Sequence, residues 1–516
     1  MQTATRRSVL MASLAAVPTG IALAKPAPRI ARTTAGQVRG TRQNGIDVFK
    51  GIRYGQAGRF QPPLKPKPWR GVRNALEFGP SCPQPYPDGP RASEDCLFLN
   101  VWTPGLRDGG KRPVMVYIHG GAYSTGSGSA PIYDGVNLSR RGNVVVVTLN
   151  HRLNAFGYLY LGMIDERFAD SGNAGQLDLV LALEWVRDNI AEFGGDPACV
   201  MVFGQSGGGA KIATLMAMPS AKGLFHRAAT MSGQQLTASG PLHANERTQS
   251  LLAALGISKG DLGELRTLPA EKIVAALATT DPVIGTGGMY FGPVLDFRSL
   301  PRHPFYPDAP GQSAAIPMMI GNTHDETRAF ITDAGVYMLS WDELGARLAA
   351  NMRVDIDPKV VIAKYKDWFP GINPTDLFFL ATTASRSWRA AIVEDELRAA
   401  AGTPAFAYQL DWPCPDDKRR AQHMTDIPLA FDNTDKPGAI TGNGEGARKM
   451  AAIMSETFVA FARTGDPNNA VIPAWTPYSL AKRQTMVFDL PPHLENDPRG
   501  RERKLFEQVP FIQQGT

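Results

Sequence analysis

The stretch Val200-Met201-Val202-Phe203-Gly204-Gln205-Ser206-Gly207-Gly208 decides how this chain is read. Val200 to Phe203 is a short apolar run of the kind that forms a strand buried on both faces. It leads into G-x-S-x-G, and a helix is expected from Gly207 onward. The bare pattern is weak evidence, because glycine and serine are common. The strand–turn–helix context gives it meaning. A serine on a sharp, strained turn needs small neighbours so that the backbone can pack closely. Its hydroxyl then stands at a helix N-terminus, whose dipole favours developing negative charge. Ser206 is therefore the candidate nucleophile.

Upstream, the same alternation repeats. Cys96 to Trp102 (CLFLNVW), Val114 to Ile118 (VMVYI) and Val144 to Leu149 (VVVVTL) read as buried strands of a mostly parallel sheet. Leu179, Leu183, Val186, Ile190 and Phe193 recur at helical spacing, and Gly194-Gly195-Asp196-Pro197 stops that helix. Gln37 to Tyr54 reads as a hairpin turning at Asn44-Gly45. Downstream, residues 240 to 400 are mostly helical in pattern, interrupted by Ile316 to Ile320. Ala405 to Leu410 and Thr485 to Leu490 read as further strands, and Lys449 to Arg463 as a long helix. The expected class is α/β, a central mostly parallel sheet flanked by helices. No linker-like stretch divides residues 25–516, so one domain with a helical insertion over roughly 240–400 is expected.

Composition narrows the classes. The chain has 516 residues, 43% of them hydrophobic, which excludes wholesale disorder and supplies a large core without crosslinks. No triplet period or 20-to-50-residue repeat is present, which excludes collagen and solenoids. The net charge of +6 is scattered rather than clustered, so no nucleic-acid partner is expected. Met1 to Ala24 carries Arg6-Arg7 before an apolar run and ends in Ala22-Leu23-Ala24. It is similar to a twin-arginine export signal, with a new N-terminus at Lys25. Pro18 and Gly20 break the run, which is too short for a membrane anchor. A periplasmic or secreted protein is expected.

A serine nucleophile needs an oxyanion site, a base and an acid. His119-Gly120-Gly121-Ala122 follows the Val114 strand, and a glycine pair there lets backbone N–H groups approach a tetrahedral oxygen. Gly207 supplies a further N–H, while His119 reads as structural. The acid should follow a later strand, and Ile316 to Ile320 is followed by Gly321-Asn322-Thr323-His324-Asp325-Glu326. Asp325 and Glu326 both qualify. The base must come later still, which leaves His423 and His493 of the eight histidines.

Taken together these segments resemble the type-B carboxylesterases, the carboxylesterase and cholinesterase branch of the α/β-hydrolases. The resemblance is carried by Glu94-Asp95-Cys96-Leu97-Phe98-Leu99-Asn100, Asn150-His151-Arg152-Leu153 with Phe156-Gly157, Phe193 to Pro197, the Ser206 turn, Gly292 to Asp296, and Gly465-Asp466-Pro467-Asn468 with Trp475. It implies Ser206 as nucleophile, Glu326 as acid, His423 as base, and Gly121, Ala122 and Gly207 as the oxyanion hole. It further implies a disulfide between Cys82 and Cys96, and Ser232 as a residue steadying the imidazole. Cys199 and Cys414 match no family pair and read as free thiols. The chain departs from the family in having Gln205 and Gly207 around the serine, where Glu and Ala are usual. Thr327 and Met424 also stand where Gly is usual.

The function expected is a serine carboxylic-ester hydrolase working through an acyl-enzyme on small-molecule esters, with no cofactor or metal. Two rival readings use the same fold: a non-catalytic adhesion or binding protein, and an amidase or thioesterase. The first is disfavoured because its relatives typically lose the nucleophile, and Ser206 is present.

Overall fold

The centre of the molecule is a stack of seven parallel strands. In spatial order they are Val145–Leu149, Arg112–Ile118, Gly195–Gln205, Arg227–Met231, Met318–Thr323, Ala405–Leu410 and Gln484–Phe488. The computed structural model describes residues 29–86, 91–258 and 261–515; the expected export signal lies outside them. Antiparallel strands extend both sides of the stack. Phe98–Thr103 and Ile46–Arg53 continue it past Val145–Leu149, and His493–Asn496 pairs with Gln484–Phe488. The Cys96–Trp102 run is thus a strand, but an antiparallel one. A continuous apolar run reports burial on both faces, not strand direction.

The Arg112–Ile118 strand shows why these runs are continuous. Val114, Val116 and Ile118 point into one core, with Leu179, Leu183 and Val186 of the helix Ala174–Asn189. Met115 and Tyr117 point into the other, with Met450, Met454 and Phe458 of the helix Glu445–Thr464. Side chains alternate with period two, so a strand covered on both sides has no polar face to spare. The hairpin Gln37–Gln43/Ile46–Arg53 turns at Asn44 and Gly45, both with positive φ.

Within 240–400, helices gather at Pro241–Ala254, Leu262–Thr267 and Ala270–Ala276, and again from Trp341–Asn351 to Ser387–Ala400. The second group has a core of its own. Leu344, Leu348, Val361, Tyr365, Leu377 and Phe378 pack there with Leu505 and Phe506 from near the C-terminus. Among the described residues no helix is long and apolar enough to cross a membrane.

Cys82 and Cys96 are buried thiols, so the disulfide implied by the resemblance is not formed. The Cys82 sulfur accepts from the Leu153 N–H at 3.2 Å. A hydrogen bond with Cys82 and burial together push the Cys96 thiol well up. Cys199 and Cys414 are also free.

Candidate active site

Five adjacent parallel strands deliver their C-terminal loops to one place: His119–Ala122 after Arg112–Ile118, Ser206 after Gly195–Gln205, Ser232 after Arg227–Met231, Glu326 after Met318–Thr323, and His423 after Ala405–Leu410. In open parallel sheets this is the end where ligands bind.

Ser206 has φ +57° and ψ −129°, a conformation that costs a non-glycine residue about 1–3 kcal/mol. The surroundings hold it there. Its N–H donates to Met231 O at 2.7 Å, and the helix Gly207–Leu215 starts immediately. That helix packs so closely on the neighbouring loops that it has no room for β-carbons. One added at Gly207 would lie 2.1 Å from Ala122 O, and one at Gly208 2.0 Å from Ile118 O. In the sequence, Gly207 stands out as a departure from the usual Ala. In the structure it is what lets the His119–Ala122 loop settle against the serine.

That loop is braced from below. Ser124 and Thr125 donate their N–H groups to Gly121 O at 3.1 and 3.0 Å. Fully buried Lys211 donates to His119 O at 3.1 Å. Burial holds Lys211 down to about 7. The His119 ring stacks on His151 with centroids 4.8 Å apart, and burial together with Lys211 holds it neutral, down to about 3. Among the described residues, the N–H groups of Gly121, Ala122 and Gly207 donate to no other group. Ala122 and Gly207 line a cavity of about 300 Å³ that also contains Ser206 and His423.

Glu326 is fully buried. One carboxylate oxygen accepts from the Thr323 N–H at 2.9 Å and Asn322 Nδ2 at 3.2 Å; the other takes His423 Nδ1. Burial alone would raise this carboxyl, but His423, Ser232 and the Thr323 N–H outweigh it and hold the group below the usual carboxylate range. Ser232 Oγ acts on this charge without a hydrogen bond of standard geometry. Asp325, the other candidate acid, faces elsewhere, between His324 Nδ1 at 3.0 Å and Arg328 Nε at 3.3 Å. His493 is exposed and pairs with Glu495.

With Nδ1–H donating to Glu326, the far nitrogen of His423 carries the lone pair. The Gln205 amide donates to it at 2.9 Å. This contact was not legible in the sequence, where Gln205 registers only as the loss of a charge. Two further groups were also missed. Asp426 is buried, accepts from Tyr408 OH at 3.0 Å, and is pushed up to about 7 by burial and by Glu326. Arg353 and Arg386 line the cavity beside Tyr290 and Phe330, Arg353 from the bend after helix Trp341–Asn351 and Arg386 from the turn before helix Ser387–Ala400, where no periodic pattern in the sequence marks their facing.

Residues 27–348 and 380–506 match the family profile described as "Carboxylesterase family". The chain is 36% identical to a para-nitrobenzyl esterase of Bacillus subtilis over 93% of its length and 98% of that protein. It is 34% identical to a phenmedipham hydrolase of Pseudarthrobacter oxydans, covering 86% and 92% of the two chains. Among solved structures it is similar to a carboxylesterase of Geobacillus stearothermophilus, with TM-score 0.83 and 39% identity over 92% of this chain and 99% of that one.

Proposed function

The chain belongs to the carboxylesterase family and is a carboxylic ester hydrolase, and on that premise we propose that Ser206, His423 and Glu326 carry the reaction. The observation that supports this reading is the buried Glu326–His423 contact, with the other imidazole nitrogen accepting from the amide of Gln205, the residue before Ser206. His423 takes the hydroxyl proton as Ser206 attacks the ester carbonyl. Glu326, charged because its partners hold its proton affinity down, fixes the tautomer and stabilises the imidazolium. The tetrahedral oxygen is received by the N–H groups of Gly121, Ala122 and Gly207. His423 then protonates the departing alcohol, and water activated by the same imidazole releases the acid from the acyl-serine. Gln205 must yield the imidazole nitrogen to Ser206 at the start of each cycle.

The substrates are small-molecule esters. Export through the Arg6-Arg7 signal is part of the proposal, supported by the sequence of residues 1–24. N-terminal sequencing of the periplasmic or secreted protein tests it, and an intact Met1 on active protein overturns it.

The test of the chemistry is hydrolysis of p-nitrophenyl acetate and butyrate by residues 25–516, beside Ser206→Ala of equal fold content. Loss in the variant and a fluorophosphonate adduct on Ser206 support the assignment. Equal rates in both proteins overturn it.

A further inference from the structure

The cavity above Ser206 has an unusual charge balance. Two guanidiniums, Arg353 and Arg386, line it, and no aspartate or glutamate does. Arg386 is half-buried and forms no ion pair or hydrogen bond through its side chain among the described residues. It rests on the Phe330 ring at 5.9 Å, and Phe330 in turn lies 4.6 Å from the His423 ring. The guanidinium is thus one aromatic ring from the imidazole. Arg353 has a single side-chain partner, the neutral amide of Gln514. The carboxylates nearby are committed. Glu326 holds His423, Asp281 holds Arg247, and Asp376 holds Arg328 and Arg420. Buried Arg152 and Arg499 close on carboxylates, and buried Arg398 is held by the carbonyls of Ile316 and Pro404. Burial and the repulsion of Arg353 hold Arg386 down to about 10, still fully charged at neutral pH. Two half-buried cations facing one cavity, with Glu326, already paired with His423, as the carboxylate acting on Arg386, are costly unless a ligand supplies a counter-charge.

We propose that the cavity takes monoesters of dicarboxylic acids: Arg386 and Arg353 clamp the free carboxylate while Ser206 attacks the ester carbonyl. The inference rests on the hydrolase reading above. The acyl C–O bond breaks, the alcohol leaves with a proton delivered by His423, and water supplies the hydroxyl of the new acid. The products are a dicarboxylate and an alcohol.

The test compares butyl hydrogen adipate with butyl methyl adipate, which differ by one charge, following butanol release. The monoester is expected to have a kcat/KM about tenfold higher, expressed mainly in KM. That preference should shrink as salt rises from roughly 20 mM to roughly 500 mM. Arg386→Gln should reduce the ratio about tenfold, Arg386→Lys should fall between, and Arg347→Gln, on the outer surface, should keep the wild-type ratio. A wild-type ratio at or below one overturns the clamp, as does a ratio unchanged in both Arg386 variants. If fluorophosphonate labels Ser206 but neither ester is cleaved, the clamp alone falls. If labelling also fails, the hydrolase reading falls with it.

Discussion

The floor of the cavity and its wall are built by different means. The floor consists of loops at the ends of five adjacent parallel strands, and backbone sterics set it: a strained serine, a helix start without room for β-carbons, and a loop pinned to Lys211. The wall is made of side chains from the start of helix Ser387–Ala400 and from the bend and turn beside helices that have their own core around Leu348 and Phe378, joined by Phe511 to Gln514. Loops tied to a central sheet hold reacting groups to tenths of an ångström, which catalysis needs. Helices packed on a separate core can change their inward residues without moving the floor, which suits the selection of substrates.

The largest effect should come from the floor. His423→Ala should lower kcat by about 10³-fold or more with little change in KM, because the group acts in the transition state. Steady-state kinetics on p-nitrophenyl butyrate measures it, and a loss confined to KM would break the distinction drawn between floor and wall.

Gly207→Ala comes next. Helix propensity alone would make the variant more stable by about 1 kcal/mol and otherwise neutral. The 2.1 Å approach to Ala122 O predicts instead a displaced loop and a loss of about 10- to 100-fold in kcat. Full activity with a raised melting temperature would show that the loop can yield.

Gln205→Glu sharpens the role of the contact with His423. A carboxylate at that nitrogen favours imidazolium, so more alkaline solution is needed to free the base. The acidic limb of the pH–rate profile should move to higher pH. An unmoved limb would mean that the amide does not face the imidazole in solution.

Lys211 connects the floor to stability. Its folded value of about 7 lies below the ordinary 10.5, so between those values the folded chain has shed a proton that the unfolded chain keeps. Stability therefore rises with pH across that window, and Lys211→Met should remove a gain on the order of 5 kcal/mol. Denaturant unfolding of both proteins at neutral and alkaline pH reads the difference.

The smallest effect on rate belongs to the wall. Leu348→Ala should cost about 3 kcal/mol of stability, while the folded enzyme turns over p-nitrophenyl acetate within about threefold of wild type. A collapse of kcat at matched folded content would show that wall and floor are one unit.

Much of the floor was legible in the chain itself. Apolar runs marked the buried strands, and the glycines around Ser206 marked a turn that must pack tightly. Both are local properties, written in residue type and period. The choice between Asp325 and Glu326 was not local. Adjacent residues on a loop point different ways, and only the fold shows Asp325 held between His324 and Arg328 while Glu326 turns inward to His423. The same holds for the wall, where helical periodicity gives a buried face but not what that face meets.

The sequence by itself determined the strands, the turn and the set of residues able to do the chemistry, because these follow from side-chain period and from backbone allowances over a few residues. Tertiary structure alone decided which members of that set meet. Gln205 and His423 stand 218 positions apart, and Glu326 and His423 97 apart; the order of strands in the sheet makes them neighbours. It also set two arginines, from a bend and a turn beside the helices, into the wall of the serine's cavity with no carboxylate lining it, because long-range packing, not local pattern, fixes what lines a cavity.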